Sequence, residues 1–379
     1  MKQLNRVAIV HEYLENLGGA ERVLKQLLEI FPKADLFFIT YNLKKLPEDF
    51  RERFKSHKIT VSFANRFRRF TPLVRVLAPK AVESFNLNEY DLVISNCNSY
   101  AKGVIVPTNT YHISYVHSPT RYLWDYKDQY LDEHGHNFFT RFLLSRLFFS
   151  QRKWDFLASR RPDLILANSR NVQSRIKKYY RLNSKVLLPA VDLARFKPIS
   201  KKKGNYFLFI SRLSPYKKAD LAIKAFKTMP HLNLKIAGSG SELDNLKQMA
   251  KGADNIEFLG FVPDSDLPNL YANARALIFP QLEDFGLVPI ESMASGTPVI
   301  AYGKGGVLET VNQNTGIFFS AQTAKSLNQA VLEFLNKEKS YDDKYLISKA
   351  QQFSFESFKK NLLNYINQLL DKDERNKNN

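Results

Sequence analysis

The chain holds a single cysteine, Cys97, in 379 residues. That excludes a disulfide framework and a zinc site built on cysteines, and it fits a reducing compartment. Acidic residues are scarce beside basic ones: 37 Asp and Glu face 56 Lys and Arg, a formal net charge of +19. No apolar run reaches the ~18–20 residues of a membrane span. The greasiest stretch, Phe142 to Phe149, is broken by Arg146. The first apolar run, Val7 to Val10, is too short for a signal peptide and meets His11 and Glu12 at once. What is present is ordinary globular composition, 44% apolar and 25% charged, which excludes a disordered or low-complexity chain. At ~100–200 residues per domain, the length suggests two or three domains.

The charge is unevenly placed. Residues 1–185 carry 31 basic and 17 acidic residues, net +14, whereas residues 186–379 carry 25 and 20, net +5. Segments 51–80 (net +8) and 141–161 (net +5) supply nearly all of the first surplus. Both lace their charges with Phe, Leu and Val, the composition of a basic amphipathic helix lying on an anionic membrane. A core-packed helix with solvated charges is the plainer alternative. Nucleic acid is not expected as a partner, because no RNP-type, KH or dsRNA-binding pattern accompanies the charge.

Along the chain, strand and helix patterns alternate twice. The first run comprises strands at RVAIVHE, ADLFFIT, DLVISN (91–96), HISYVH (112–117) and DLILANS (163–169), with helices between. The stretch KVLLPAVDLARFKP, with two prolines and no periodicity, reads as an interdomain linker. The second run opens at NYFLFIS (205–211) and continues through LNLKIAGSG, NIEFLG, ALIFP, PVIAY and GIFFS. A last helix is expected over 355–370, followed by a frayed polar tail. The prediction is α/β: two doubly wound parallel-sheet domains, 1–188 and 189–354, with a C-terminal helix, 355–371, crossing back to the first. Ligands of such sheets bind at the carboxyl ends of the strands, and a cleft between two domains is the default site.

Several motifs fall at those ends. Gly18-Gly19-Ala20-Glu21 follows the first strand and opens a helix, so it is either a plain turn or an anion-facing helix N-terminus. Neither GxGxxG nor a P-loop is present. Arg212 and Lys217 follow the first strand of the second run, a fork and a point charge suited to a diphosphate. Glu283 and Glu291 stand eight apart, with Phe285-Gly286 between them and Pro289 opening a helix. The amides of Phe285, Gly286 and Leu287 would then face an anion, and Glu291 could accept from a vicinal diol. Asp264-Ser265-Asp266 matches a metal-binding DxD, but its place before a helix favours N-capping. His134-Gly135-His136 lacks an evident third metal ligand.

Taken in order, GGAE, YVHSP, ANSR, SRLSPYK and the E-x7-E of EDFGLVPIE resemble the retaining glycosyltransferases of family 4, with the GT-B fold. The likeness covers most of the chain and is densest from SRLSPYKKADLAIKAF to GGVLETV. Within the family the chain is most similar to mannosyltransferases of bacterial O-antigen and exopolysaccharide assembly. The resemblance implies two Rossmann-like domains facing a central cleft. It implies that Arg212 and Lys217 hold the donor diphosphate, that Glu291 binds the ribose, and that Glu283 faces the transferred sugar. Phe285, Gly286 and Leu287 would contact sugar or phosphate through their amides, and Gly18 and Gly19 would shape the loop facing the donor phosphate and the acceptor. His117, otherwise readable as a core histidine, would reach the sugar. Ser211 stands where the family usually has glycine.

The expected partners are a nucleotide sugar as substrate, best matched by GDP-mannose, a lipid-linked or glycan acceptor, and an anionic membrane surface met by 51–80 and 141–161. Neither a cofactor nor a divalent metal is expected, because two cations and a helix N-terminus can carry the leaving charge. The expected location is cytoplasmic, on the inner face of the plasma membrane. A UDP-sugar donor, an epimerising relative, and a basic membrane- or RNA-binding protein on a degenerate scaffold are the alternatives.

Overall fold

The computed structural model describes residues 4–15, 18–43, 46, 48–125, 127, 138–196 and 204–377. The chain divides into two units, Met1–Pro189 with Phe358–Asn379, and Ala190–Ser357.

The first unit carries seven strands: β1 (Val7–Leu14), β2 (Asp35–Tyr41), β3 (Ile59–Val61), β4 (Leu92–Cys97), β5 (Tyr111–Val116), β6 (Leu164–Ala167) and β7 (Lys185–Val186). Every pairing is parallel, in the order β3-β2-β1-β4-β5-β6-β7. Strand order reverses between β1 and β4, the place where doubly wound sheets bind ligands. These central strands are apolar runs because helices cover both faces. Ala8, Val10, Phe37, Ile39 and Val93 pack on one side against Val74, Ala78 and Val82 of the helix Thr71–Glu83.

The second unit holds β8 (Tyr206–Ile210), β9 (Asn233–Ala237), β10 (Ile256–Gly260), β11 (Leu277–Phe279), β12 (Val299–Tyr302) and β13 (Gly316–Phe319). They too pair in parallel, in the order β10-β9-β8-β11-β12-β13. Its core centres on Phe207, whose ring meets Phe226 at 5.3 Å and Phe334 at 5.8 Å. Burying side chains of this size contributes roughly 1.5–3 kcal/mol each.

Both units are thus doubly wound parallel sheets, as expected. Three details differ from the sequence reading. Segment 51–80 is not one amphipathic helix. It holds the end of a short helix (Glu48–Glu52), β3, a single turn at Phe63–Phe67, and most of the helix Thr71–Glu83. The β-branched run Ile59-Thr60-Val61 pairs with β2 instead, and Ser62 caps the turn through Ala64 N–H at 3.1 Å. Within the expected linker, Lys185–Val186 adds an edge strand to β6. The last helix runs to Lys377, beyond 370, because residues 371–377 contain no glycine or proline. Its Phe358, Leu362, Ile366 and Leu370 are buried at helical spacing, and Tyr365 donates to the Val186 carbonyl at 3.1 Å.

Candidate active site

In the second unit, the chain leaving β8 keeps strand-like alternation. Leu213 is buried and Arg212, before it, is exposed. This loop is clamped by main-chain bonds: Ser211 N–H to the Ala237 carbonyl at 3.1 Å, and Leu213 N–H to the Ser239 carbonyl at 2.9 Å. The approach is close enough to require glycine. A Cβ on Gly238 (φ +133°) would lie 1.8 Å from the Ser211 carbonyl oxygen, and one on Gly240 would lie 2.1 Å from that of Leu213. Arg212 is therefore held by its backbone, and its guanidinium forms no ion pair among the described residues.

Lys217 ends the single turn Pro215–Lys217, and Lys218 takes a left-handed conformation (φ 59°) that swings the chain into the helix Ala219–Lys227. The Lys217 ammonium donates to Glu283 Oε1. Gln281 Nε2, buried, reaches the same oxygen at 3.3 Å. Glu283 lies on the loop after β11, and a second glycine pair holds that loop. Gly306 N–H donates to the Glu283 carbonyl at 2.9 Å. Added Cβ atoms would lie 2.5 Å from that oxygen at Gly305 and 2.3 Å from the Asp284 carbonyl oxygen at Gly306. Phe285 anchors the loop inward against Phe353, 5.8 Å away.

Gly286 (φ +93°) turns the chain into the helix Leu287–Ala294. The N–H groups of Phe285, Gly286 and Leu287 find no acceptor among the described residues, as expected at a helix start. One turn further on, Glu291 is 2% exposed and accepts from the Tyr271 hydroxyl at 2.8 Å. Tyr271 is the positioning partner that the motif alone did not suggest. Lys217 and Glu283 are thus in contact, and Phe285, Gly286, Leu287 and Glu291 share one loop-to-helix turn.

In the first unit, Gly18 precedes the helix Gly19–Ile30, and its N–H donates to Glu21 Oε2 at 2.8 Å. A side chain at Gly18 would press on that oxygen, with its Cβ 2.8 Å away. His117 follows β5 and joins the same system. Its Nε2 donates to Asn96 Oδ1 at 2.6 Å. Asn96 Nδ2 donates to the Ala20 carbonyl at 2.8 Å and faces His11 Nδ1 at 3.1 Å. His11 Nε2 then faces Glu21 Oε1 at 3.2 Å. The chain closes in one sense only: Asn96 gives both amide protons, so His11 accepts at Nδ1 and donates from Nε2. Burial pushes the Glu21 carboxyl up, but the hydrogen bond and attraction of His11 outweigh it and hold it below the usual carboxylate range.

Sequence reading missed His11, Glu21 and Asn96 as members of this system. The signals were the polar His11 and Asn96 inside apolar strands. It also missed Glu12, fully buried, whose Oε1 accepts the N–H groups of Asn98, Ser99, Tyr100 and Ala101 at 2.6–3.1 Å and shapes the loop after β4.

The motifs set aside as doubtful are accounted for in part. Asp264 accepts from Arg195 Nη1 at 2.6 Å. Asp266 stands at the N-cap position of the helix Leu267–Ala272, yet its carboxylate makes no cap bond. It takes the Ser265 hydroxyl instead, at 3.0 Å. His134 and His136 lie outside the described residues.

Two doubly wound parallel sheets, each gathering polar groups at the carboxyl ends of its central strands, define a protein of the GT-B class. The chain belongs to the glycosyltransferases of family 4 and group 1: residues 17–195 match Glycosyltransferase Family 4, and residues 191–353 match Glycosyl transferases group 1. It is 30% identical over 198 residues to D-inositol 3-phosphate glycosyltransferase of Mycobacteroides abscessus, covering 47% of this chain and 45% of that protein. It is 29% identical over 170 residues to O-antigen chain mannosyltransferase B of Escherichia coli, covering 40% and 43%. The chain thus spans less than half the length of these relatives. In fold it resembles Anabaena HepE in complex with UDP, with a TM-score of 0.70 at 17% identity over 95% of this chain and 99% of that one. It also resembles sucrose-phosphate synthase of Thermosynechococcus elongatus, with a TM-score of 0.75 at 17% identity over 97% and 99%.

Proposed function

We propose that the protein transfers a hexose, mannose from GDP-mannose, to a lipid-linked or polysaccharide acceptor in cell-surface glycan synthesis, with retention at the anomeric carbon. The observation that carries this reading is the Lys217–Glu283 pair, with exposed Arg212 five residues before Lys217, on loops that glycine pairs hold in place. In this scheme the donor diphosphate draws Lys217 from Glu283 and lies against Arg212 and the amides of Phe285, Gly286 and Leu287. The acceptor oxygen bonds to the anomeric carbon as the bond to the diphosphate oxygen breaks, on the same face. The hydroxyl proton passes to the leaving phosphate. Glu283, released, faces the sugar, and Glu291, oriented by Tyr271, holds the ribose hydroxyls. In the first unit, Gly18, Gly19 and His117 are the residues this reading assigns to the acceptor.

Catalysis then consists of positioning and stabilisation of the leaving charge. Removing one such donor costs ~2.7–4 kcal/mol in other enzymes. The scheme requires no divalent cation, so activity should survive EDTA. A complete loss restored by manganese or magnesium would overturn that part.

The mannosyl preference draws its support from relatives such as the Escherichia coli O-antigen mannosyltransferase. A UDP-sugar donor is the second reading, favoured by the UDP held in the HepE structure. Incubation with GDP-mannose, UDP-glucose, UDP-galactose and UDP-N-acetylglucosamine decides between them by which donor is consumed.

The site of action in this proposal is the inner face of the plasma membrane, met through 51–80 and 141–161. Supporting it, exposed Phe63 and Phe70 alternate with exposed Arg66, Arg68 and Arg69. Among the described residues no helix is long and apolar enough to cross a membrane.

A further inference from the structure

We propose that a groove on the flank of the first unit binds the phosphate ester of an anionic membrane lipid, an inference that rests on the membrane reading above and gives it a site. The groove, about 530 Å³, lies between the helices Phe138–Ala158 and Arg170–Tyr180. Its floor is aromatic: Trp124 and Tyr179 stack 5.2 Å apart, 26° from parallel, beside Phe156. This floor is fixed from below. Trp124 Nε1 donates to Asp155 Oδ2 at 2.7 Å, and Asp155 Oδ1 accepts from buried Lys102 at 2.6 Å and from Thr120 at 2.8 Å.

Among the described residues, cations line the groove and no acid does. Arg152 lies 5.5 Å over the Trp124 ring, its Nε bonded to the Leu123 carbonyl at 2.6 Å. Lys153, Lys178 and Arg181 are exposed and form no ion pair with any described residue. Gathered around one cavity, these charges repel, and an anion among them relieves that repulsion. Phosphate is the fitting class, since an Arg fork and Lys point charges both serve it.

The surroundings point to a lipid source. Phe149 and Lys153 belong both to the groove and to an exposed stripe of the helix Phe138–Ala158. That stripe runs through Phe142, Leu143, Arg146, Phe149, Lys153 and Leu157, one helical face. Phe149 is 58% and Leu157 62% exposed. A headgroup in the groove would lay its acyl chains along this stripe. The groove is also apart from the candidate active site. Lys178 lies nine residues beyond Ser169, which caps its helix just after the end of β6. At ~1.5 Å per residue that is roughly 13 Å from the strand ends.

The test uses the full chain with vesicles of phosphatidylcholine, alone or mixed with phosphatidylglycerol. Flotation should need the anionic lipid, and the double variant Lys153→Glu, Lys178→Glu should weaken it at least about tenfold. Thermal unfolding and donor consumption should stay unchanged, since neither residue belongs to the active site. Wild-type flotation in that variant, with loss in an Arg66→Glu, Arg68→Glu, Arg69→Glu variant, overturns the groove and leaves the membrane reading intact. Failure of the wild type to float on any vesicle overturns both. Glycerol phosphate is the soluble probe, followed through Trp124 emission with Trp124→Phe as the blank. Tight binding of it without vesicles would replace the lipid by a soluble phosphate.

Discussion

The two units present loops at the same ends of the same kind of sheet, but they hold them differently. In the second unit, backbone packs on backbone: Gly238 and Gly240 grip the Arg212 loop, while Gly305 and Gly306 grip the Glu283 loop. In the first, buried side chains do the holding, through the path His117–Asn96–His11–Glu21 and the Glu12 carboxylate. Main-chain clamps place an exposed cation while leaving its side chain available to an incoming anion. A side-chain network instead places His117 by taking its Nε2 proton at Asn96 Oδ1. The comparison separates a region that keeps a cation exposed from one that locks its polar and charged side chains into a buried network.

Breaking the charged side should have the largest effect. Lys217→Ala should lower turnover at least about a hundredfold with an unchanged unfolding midpoint. Near-normal transfer would remove Lys217 from the mechanism. Next comes the contrast between the two kinds of clamp. Gly238→Ala forces the Arg212 loop away from Ala237 and should reduce kcat/KM at least about tenfold, since small misplacements of catalytic groups are costly. Asn96→Ala instead strands buried polar groups and should cost ~1–3 kcal/mol of stability. Calorimetry together with steady-state kinetics distinguishes them, and identical stability losses in both variants would erase the contrast.

A pH series sharpens the first unit further. Burial, and secondarily Arg161, push His112 down to about 3. The unfolded chain therefore binds a proton below ~6.5 that the folded one refuses. The stabilisation is complete above that value and is lost as pH falls toward 3, at up to ~1.4 kcal/mol per pH unit. Glu21, held low, acts in the same direction: its contribution is present above the ordinary carboxylate value and lost as acid titrates it. His112→Gln should flatten the midpoint-versus-pH curve between pH 4 and 6.5. An unchanged slope would assign the acid sensitivity elsewhere. The smallest effect is expected for Tyr271→Phe, a rise of about two- to fivefold in donor KM with kcat retained, worth the ~1 kcal/mol of one hydrogen bond. A fall in kcat alone would contradict an orienting role toward Glu291.

Much of this was readable beforehand, for physical reasons. Strands buried on both faces, such as Tyr206–Ile210 and Leu92–Cys97, announce themselves as apolar runs. The places of Arg212 and Glu283 are legible because they lie two and four residues past such runs, and Lys217 and Glu291 follow them within local motifs. Ile59–Val61 and Lys185–Val186 were not legible. They are edge strands of three and two residues, half exposed, and one is embedded in a basic stretch. The side-chain network escaped because its contacts join residues far apart in sequence, Asn96 to His11 across 85 positions. The same holds for the glycine clamps. GSG and GG are visible as strings, but which loop each one grips is a property of the folded sheet.

The Lys217–Glu283 contact has a kinetic consequence. An ammonium that already owns a counter-ion is a poor trap for stray anions, so inorganic phosphate should be a weak competitor at this site. In the proposed scheme a donor would have to displace the carboxylate to enter, which would lower its affinity. The same carboxylate would return to the lysine when the spent nucleotide departs, and so help to expel it. The ion pair thereby exchanges tightness of binding for speed of clearance.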